Sequence, residues 1–238
     1  MTDGASAAGN PEHPSPIGVP TSSPTLASIG ILGGTGPQGR GLARRFAAAG
    51  YRVLIGSRSA ERATEIAAGY ADVGQVSGAA NADAAAADLV IVAVPYDGHA
   101  DLLTELAPKL AGKIVVDCVN RIGFDAQGPY AIEVPAGSSA QEAAELLPDS
   151  TVIGAFHHVS SALLDDPSVD RIELDVLVLG EDRPAIGVVC DLAAAIPGAR
   201  GIYGGRLRNA AQVEALTANL IAINRRYKAH AGLRITDV

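Results

Sequence analysis

A glycine-rich segment between an apolar stretch and a helical stretch constrains the fold of this chain more than any other feature. The letters GGTGPQGRG directly follow a predicted strand over Ser28–Leu32. Gly34, Gly36 and Gly39 satisfy the spacing G-x-G-x-x-G, and a predicted helix begins at about Gln38. In this context the first glycine permits a tight turn, the second lets a pyrophosphate approach the backbone, and the third lets helix and strand pack closely. The segment therefore predicts a dinucleotide-binding turn, with the phosphates at the helix N-terminus.

Apolar stretches recur along the chain, and helical stretches separate them. Two of them, Asp88–Val94 and Lys113–Asp117, are apolar nearly throughout, as strands buried on both faces are. Further strands are predicted over 51–55, 151–156 and 174–179, and helices over 38–49 and 60–70. Strands that alternate with helices indicate a parallel sheet covered on both faces. We therefore predict an α/β fold, a Rossmann-type doubly wound parallel sheet, over residues 27–181.

The two ends of the chain differ from this central part. Residues 1–26 contain five closely spaced prolines among Ala and Ser, and they predict a flexible tail. Residues 182–238 predict a helix over 183–195, a short strand over 199–203 and a long helix over about 209–230. These residues are too few for a second full domain, so we expect a small, mainly helical C-terminal cap domain.

The end of the second predicted strand distinguishes between two dinucleotides. A chain that binds NAD usually carries an acidic residue there, which accepts a hydrogen bond from the ribose 2′-hydroxyl. This chain instead reads Gly56-Ser57-Arg58, and Arg62 follows one helical turn later. A serine hydroxyl can donate a hydrogen bond to a 2′-phosphate, and guanidinium groups can pair with it. The residues therefore predict NADP, favoured by about 1–3 kcal/mol for each charge-assisted contact.

Charge and composition argue against several other classes of function. The formal net charge of −8 argues against nucleic-acid binding, which relies on a basic surface. No apolar run reaches the roughly 20 residues of a membrane span, so no membrane association is expected. No basic-then-apolar signal pattern is visible, which makes a cytoplasmic location the expectation. Two cysteines are too few for a disulfide framework or a metal cluster, and no metal site is predicted.

The last part of the chain is locally basic. Residues 200–238 contain seven basic residues and two acidic ones. Solvated helix charge is the ordinary explanation of such a surplus, and a landing site for an anionic ligand is the functional one. The two explanations remain open at this point.

The segment Gly33–Arg62 resembles the start of the NADPH-dependent reductases of the deazaflavin coenzyme F420, the F420:NADP oxidoreductases. The resemblance continues through the letters VAVPYDGHADLL, KIVVDCVN, SAQEAAELLP, GAFHHVSSALL and AHAGLRI, and it covers nearly all of residues 28–238. It implies reversible hydride transfer between NADP(H) and coenzyme F420, in a cleft between the main domain and the cap of a homodimer. Both coenzymes carry their own reactivity, so the protein is expected mainly to position them.

The resemblance also implies which residues bind the coenzymes. Those of the glycine-rich turn and the 2′-phosphate site are Gly34, Thr35, Gly36, Pro37, Gln38, Gly39, Ser57, Arg58 and Arg62. Those expected near the nicotinamide and the deazaflavin are Pro95, Tyr96, Val116, Val159, Ser161 and Ala231. His157 is expected to orient the deazaflavin or to balance its charge, although a role in satisfying its own loop has similar weight. The coenzyme's phosphate and glutamate tail give the basic residues Arg206, Arg208 and Arg225 a candidate role.

Two other functions remain open. Reductases of imines or pyrrolines have a similar NADP-binding half, but they usually need a longer helical dimerisation domain than this chain has left. A non-enzymatic, NADP-sensing regulator would bind the dinucleotide without turnover, and fold alone does not exclude it. Short-chain dehydrogenases are disfavoured because no tyrosine of this chain has a lysine four residues later. Membrane metalloreductases share the dinucleotide module, but no membrane domain is expected here.

Overall fold

The computed structural model describes residues 26–238 and contains ten strands. They are β1 (Ser28–Leu32), β2 (Arg52–Ser57), β3 (Val76–Ala80), β4 (Leu89–Val92), β5 (Ile114–Asp117), β6 (Ile122–Asp125), β7 (Gly128–Ala131), β8 (Thr151–Gly154), β9 (Leu174–Leu179) and β10 (Ala199–Gly205). The α-helices of the same residues are α1 (Pro37–Ala48), α2 (Ala60–Ala68), α3 (Asn81–Ala84), α4 (His99–Leu110), α5 (Ser139–Leu146), α6 (Ser161–Asp165), α7 (Arg183–Ala194) and α8 (Ala210–Tyr227).

Eight of the strands form one sheet in the order β10-β9-β8-β5-β4-β1-β2-β3. Six of these strands run parallel to one another, namely β8, β5, β4, β1, β2 and β3. Strand β9 joins β8 in antiparallel fashion, with Gly154 opposite Leu179, and β10 is parallel to β9. Because β1 lies between β2 and β4, the strand order reverses at β1. In open α/β sheets, ligands bind in the crevice beyond the carboxyl ends of the strands at such a point.

Helices cover both faces of the sheet, and each face has its own apolar cluster. On one face α1, α2, α6 and α7 pack against the sheet, and Phe46 of α1 meets Phe156 edge to face with 5.9 Å between ring centroids. On the other face α3, α4 and α5 contribute buried side chains such as Leu103 and Ala140. Burial of each large aliphatic side chain contributes about 1.5–3 kcal/mol, so the continuous apolar strands stabilise both layers.

The strands and helices that the sequence predicted are present, within one to three residues at their ends. The short elements β3, α3 and α6, the hairpin β6–β7 and helix α5 were not predicted. They are too short, or too rich in small residues, to show a clear hydrophobic period, as the letters VSGAA of β3 illustrate. The predicted tail lies outside the described residues except for Leu26.

The C-terminal part is less separate from the sheet than the sequence suggested. Its predicted helix and strand, α7 and β10, follow β9 as a parallel crossover and extend the main sheet by one strand. The long helix α8 then packs on α5 and on the hairpin β6–β7. The boundary at residues 181 and 182 stays a prediction, because the sheet continues across it. Among the described helices, none is both long and apolar enough to cross a membrane.

A buried ion pair fixes α8 to the rest of the molecule. Arg121 follows β5, and its Nε lies 2.5 Å from Oε2 of Glu214 on α8. The Glu214 carboxylate also accepts hydrogen bonds from the backbone N–H groups of Ser139 and Ala140, in the first turn of α5. The Arg121 guanidinium donates a further hydrogen bond to the carbonyl of Ile132 beyond β7. One carboxylate therefore joins α8, α5 and the segment after β5.

Candidate functional site

The glycine-rich turn has the backbone geometry that the motif requires. Gly33 has a positive φ of 68°, which only glycine adopts without strain. The Gly34 N–H donates hydrogen bonds to the carbonyls of Gly56, at 2.9 Å, and Ile31, at 3.2 Å, which fixes the turn against β2. A Cβ atom on Gly39 would lie 2.5 Å from Cα of Gly34. Helix α1 therefore approaches β1 as closely as it does because Gly39 has no side chain.

The N-terminus of α1 is open to an anion. Gly36 is the N-cap residue, and no side chain within the described chain caps this helix end. Pro37 follows as the first helical residue, and the first turn carries no acidic side chain. A Cβ atom on Gly36 would lie 3.6 Å from the nearest protein atom, so packing inside the protein does not require glycine there. A free helix terminus with space beside it fits the phosphates of a dinucleotide.

The side chain of Gln38 connects this turn to residues 155–160 after β8, which contain His157 and His158. Its Nε2 donates a hydrogen bond of 3.2 Å to the carbonyl of Phe156. Phe156 is fully buried and has a φ of 63°, a left-handed conformation that is unusual for a bulky residue. Such strain costs about 1–3 kcal/mol and is found mostly where function fixes the backbone. Phe156 follows β8, and the hydrogen bond from Gln38 joins this part of the chain to the start of α1.

Two arginine side chains without a partner among the described residues lie at the end of β2 and the start of α2. The Ser57 hydroxyl accepts a hydrogen bond of 3.2 Å from the N–H of Ser59, so its own proton remains available for donation. Arg58 and Arg62 are exposed, and within residues 26–238 neither guanidinium has a hydrogen-bond or ion-pair partner. Glu61 is the acidic residue of this turn, and Ser59 engages it with a 2.8 Å hydrogen bond. The three residues predicted to bind a 2′-phosphate therefore lie together at the end of one strand and the start of α2.

His157 lies in the interior rather than on an open surface. Its ring is 3% exposed, and neither ring nitrogen has a hydrogen-bond partner among the described residues. Burial is the main cause that lowers the pKa of His157 to about 4, and the neighbouring His158 lowers it further. Burial therefore favours the neutral ring in the protein alone. Both roles expected of His157 toward a deazaflavin, orientation and charge balance, stay predictions.

The backbone of His157 is held by two side chains from other elements. Its carbonyl accepts hydrogen bonds from Nδ2 of Asn120, at 2.7 Å, and from the Thr217 hydroxyl of α8, at 3.3 Å. Thr217 also lies 3.3 Å from Oδ1 of Asn120. The segment after β8 is therefore positioned by the segment after β5 and by α8 together.

The remaining predicted residues lie at or near the carboxyl ends of the strands. Pro95 is exposed and Tyr96 half-buried, and both follow the carboxyl end of β4. Val116 precedes the last residue of β5, and its side chain is fully buried. Val159 is also buried, and Ser161 begins α6. The roles of these residues toward a coenzyme stay predictions.

Ala231 lies in the segment that follows α8. Its N–H donates a 2.6 Å hydrogen bond to Oδ1 of Asn224, so that donor is already used within the protein. The neighbouring His230 lies 3.3 Å, through Nδ1, from the Ser160 hydroxyl. The structure therefore brings the segment of Ala231 beside Ser160, and the contact of Ala231 with a nicotinamide stays a prediction.

Comparison with known proteins agrees with this geometry. The family model described as "NADP oxidoreductase coenzyme F420-dependent" matches residues 28–121. The F420-dependent NADP reductase of Methanothermobacter thermautotrophicus is 38% identical over 225 residues, which are 90% of this chain and 96% of the relative. The F420-dependent NADP reductase of Methanocaldococcus jannaschii is 37% identical over 229 residues, which are 88% and 98% of the two chains.

The chain belongs to the family of F420-dependent NADP reductases. The resemblance seen in the sequence is thereby confirmed. A solved structure from Arthrobacter sp. FB24, provisionally described as an F420-dependent NADP reductase, has a TM-score of 0.77 and 27% sequence identity. It covers 89% of this chain and 99% of its own, so the C-terminal part of this chain is also shared with that structure.

Sequence reasoning missed two groups of residues beside the site of this family member. Asn81, at the start of α3, accepts through Oδ1 a 3.1 Å hydrogen bond from the N–H of Gly33 and so holds the glycine-rich turn. His99, at the start of α4, lies between two carboxylates, with Nε2 2.7 Å from Asp117 and Nδ1 2.9 Å from Glu142. The histidine in the letters VPYDGH was a visible signal, whereas nothing near Asn81 in the sequence marks its role.

Two basic residues of the C-terminal part have a buried acidic partner. Arg200 and Arg234 both pair with Asp175, whose carboxylate is fully buried and whose pKa these hydrogen bonds hold well below its usual range. Arg206 lies 3.5 Å from Glu181, and the Arg225 guanidinium lies 5.7 Å from the ring centroid of Phe124, but both of these contacts are on the exposed surface. Arg200 and Arg234 therefore fix the C-terminal segment, and the explanation of the other basic residues stays open.

Proposed function

We propose that this protein transfers a hydride reversibly between NADP(H) and coenzyme F420. The observation that supports this proposal is a pair of features found together in one member of the family. No side chain caps the helix that follows the glycine-rich turn, and the end of β2 is followed by unpaired Arg58 and Arg62 in place of a carboxylate. NADP supplies the nicotinamide that donates or accepts the hydride at carbon 4, and F420 supplies carbon 5 of the deazaflavin. No metal is needed for this transfer.

The chain's own residues act by binding and positioning. The backbone N–H groups at the start of α1 hold the pyrophosphate, and the helix dipole favours its negative charge. The Ser57 hydroxyl and the two guanidinium groups hold the 2′-phosphate, which NAD lacks. The neutral His157 ring can donate one hydrogen bond and accept another, so it is suited to orient a polar edge of the deazaflavin.

An absorbance assay at about 420 nm tests the proposal directly. Purified protein, coenzyme F420 and NADPH are mixed, and loss of the deazaflavin absorbance is expected, faster with NADPH than with NADH. The reverse reaction, with reduced F420 and NADP, should restore the absorbance. If NADPH binds but the absorbance does not change, the hydride-transfer proposal is wrong. An imine or pyrroline reductase, or an NADP-sensing regulator, would then be the functions to test.

The anionic end of F420 has a smaller set of candidate contacts than the sequence suggested. Arg206 and Arg225 already contact Glu181 and Phe124, whereas Arg208 is exposed and has no ion-pair partner among residues 26–238. Arg208→Glu is therefore expected to raise the KM for F420 and to leave the KM for NADPH unchanged. Arg171→Glu, on an exposed loop where Arg171 pairs with Glu173, is the matched control. Unchanged kinetics in both variants would exclude Arg208 from the site.

A homodimer is the assembly that we propose for this chain. Exposed apolar side chains on the hairpin β6–β7, the residues after it and α8 support it: Phe124, Tyr130, Ile132, Ile223 and Tyr227. Because the hairpin and α8 pack on each other, these exposed apolar side chains lie on adjoining elements, and exposed apolar surface of this kind marks interfaces. Sedimentation equilibrium should give twice the chain mass, and Ile223→Lys with Tyr227→Lys should give the monomer. A wild-type monomer at micromolar concentration would contradict this proposal. The cytoplasmic location stays a prediction.

A further inference from the structure

A group of four titratable side chains lies beside the carboxyl ends of β4 and β5, with His99 and Asp117 buried and Tyr96 and Glu142 half-buried. His99 is fully buried and is bracketed by Asp117, at the end of β5, and by Glu142, on α5. The Tyr96 hydroxyl donates a 3.2 Å hydrogen bond to the second oxygen of Glu142. The Tyr96 ring also stacks on the His99 ring, with 6.0 Å between centroids and 28° between planes.

The hydrogen-bond partners of His99 determine its protonation state. Both ring nitrogens face carboxylate oxygens, at 2.7 and 2.9 Å. An ionised carboxylate only accepts hydrogen bonds, and a neutral imidazole has a single N–H. A neutral His99 would therefore leave one nitrogen lone pair against an oxygen lone pair inside the protein. With both carboxyl groups ionised, two good hydrogen bonds require both nitrogens to donate, which makes His99 an imidazolium.

The position of Tyr96 connects this group to the coenzyme crevice. Tyr96 directly follows Pro95 beyond β4, and β4 is the neighbour of β1 at the point where the strand order reverses. Its hydroxyl is turned toward Glu142, so the half-buried ring is the part that remains to border the crevice. Glu142 is thus shared: one oxygen accepts from Tyr96 and the other from His99.

We infer that His99 is a positioning residue for bound NADP(H). In its doubly protonated form His99 holds Glu142 and thereby fixes the Tyr96 ring against the dinucleotide. When His99 loses a proton, the Tyr96 ring is released. This inference rests on the proposed function, because it assigns Tyr96 to the dinucleotide crevice.

Two carboxylates face His99 and favour its charged form, Asp117 from β5 and Glu142 from α5. Arg121 and Glu214 act instead on Tyr96, whose pKa Arg121 lowers and Glu214 raises. Burial opposes the imidazolium, but the two carboxylates outweigh it and raise the pKa of His99 above its ordinary value. Burial and Glu142 also raise the pKa of Tyr96, so the phenol keeps its proton while His99 titrates. The contact is therefore complete at low pH and is lost as the pH rises through the raised pKa of His99.

Two measurements on the full chain test the inference. The first is the ¹⁵N chemical shift of the His99 ring nitrogens, which distinguishes an imidazolium from a neutral ring. Its signals are assigned by the change that Glu142→Gln produces. The second is the dissociation constant of NADPH, measured by fluorescence at several values between about pH 6.5 and 9.5 without F420. We expect imidazolium shifts at pH 7 and an affinity that falls about fivefold to tenfold toward alkaline pH, the order of one hydrogen bond.

Variants distinguish positioning from simple structural support. In Glu142→Gln the amide can donate to a neutral His99 and accept from Tyr96, so the alkaline loss of affinity should disappear while affinity at pH 7 persists. Tyr96→Phe keeps the ring but loses its anchor, and should bind NADPH more weakly with no pH dependence. Tyr203→Phe, at an exposed tyrosine of β10, is the control and should behave as wild type.

Neutral His99 shifts at pH 7, or an NADPH affinity that does not change with pH in the wild type, would overturn the inference. An alkaline loss that persists unchanged in both Glu142→Gln and Tyr96→Phe would do so as well. If the affinities follow the expected pattern but NADPH does not reduce F420, the proposed reaction fails and the positioning role stands.

Discussion

Replacement of Arg58 by alanine isolates the contact that decides between NADP and NAD. Arg58 is exposed at the end of β2, and among the described residues its guanidinium has no partner. The substitution therefore removes no intramolecular ion pair, and the folded state should keep its stability. The buried Ser57 beside it keeps its hydrogen bond to Ser59, so the shape of the turn is preserved. Any change in coenzyme affinity then reports the lost contact with the ligand.

The expected magnitude follows from the exposure of the site. A hydrogen bond to a charged group contributes about 1.5–3 kcal/mol, and solvent screening favours the lower half of that range here. Because about 1.4 kcal/mol is a factor of ten, NADPH affinity should fall about tenfold to fortyfold. NADH has a hydroxyl where NADPH has the 2′-phosphate, so its affinity should change less than about twofold.

Fluorescence titration of both coenzymes, at low and at high salt, measures the effect. The loss for NADPH should shrink at high salt, because screening already weakens the wild-type contact. Arg52→Ala, at the opposite end of β2, is the matched control and should leave both affinities unchanged. Equal losses for NADPH and NADH in Arg58→Ala would refute the assignment of Arg58 to the 2′-phosphate.

Three further predictions concern the turn, the buried ion pair and acid stability. Gly36→Ala should leave Tm nearly unchanged but weaken NADPH at least about tenfold, whereas Gly39→Ala should lower Tm, because its Cβ would lie 2.5 Å from a backbone atom. Equal Tm values would contradict this difference. Glu214→Gln should cost about 3–5 kcal/mol of unfolding free energy in urea, since it leaves Arg121 buried without its counter-ion; replacement of both by apolar residues should recover part of the loss. Asp175 has a lowered pKa, so its stabilisation is present above the ordinary aspartate pKa and is lost as the pH falls; Tm should drop in acid less steeply in Asp175→Asn than in wild type.

The glycine-rich turn and the strand end could be predicted because each is local in the sequence. Gly34, Gly36 and Gly39 act through backbone conformation within one turn, and a strand and a helix must flank them for the motif to have meaning. Ser57 and Arg58 follow their strand directly, so the end of an apolar run locates them. When functional residues lie close together in the chain, their spacing in the sequence is enough to predict their role.

The other contacts of the site depend on residues that are far apart in the chain. His99 is 18 residues from Asp117 and 43 from Glu142, and no spacing rule connects helix starts to strand ends over such distances. Likewise, the left-handed conformation of Phe156 arises from tertiary packing, since nothing in the residue type favours it.

The C-terminal part shows why counting charges is a weak guide to function. Its arginines looked like a ligand surface because the sequence lists charges without their partners, yet two of them, Arg200 and Arg234, pair with the buried Asp175. The acidic residue connected to the site is instead Glu214, whose carboxylate accepts hydrogen bonds from the first N–H groups of α5. Helix α5 carries Glu142, the residue that holds Tyr96. A substitution in α8 can therefore change the position of Tyr96 through α5, although the substituted residue has no direct contact with a ligand.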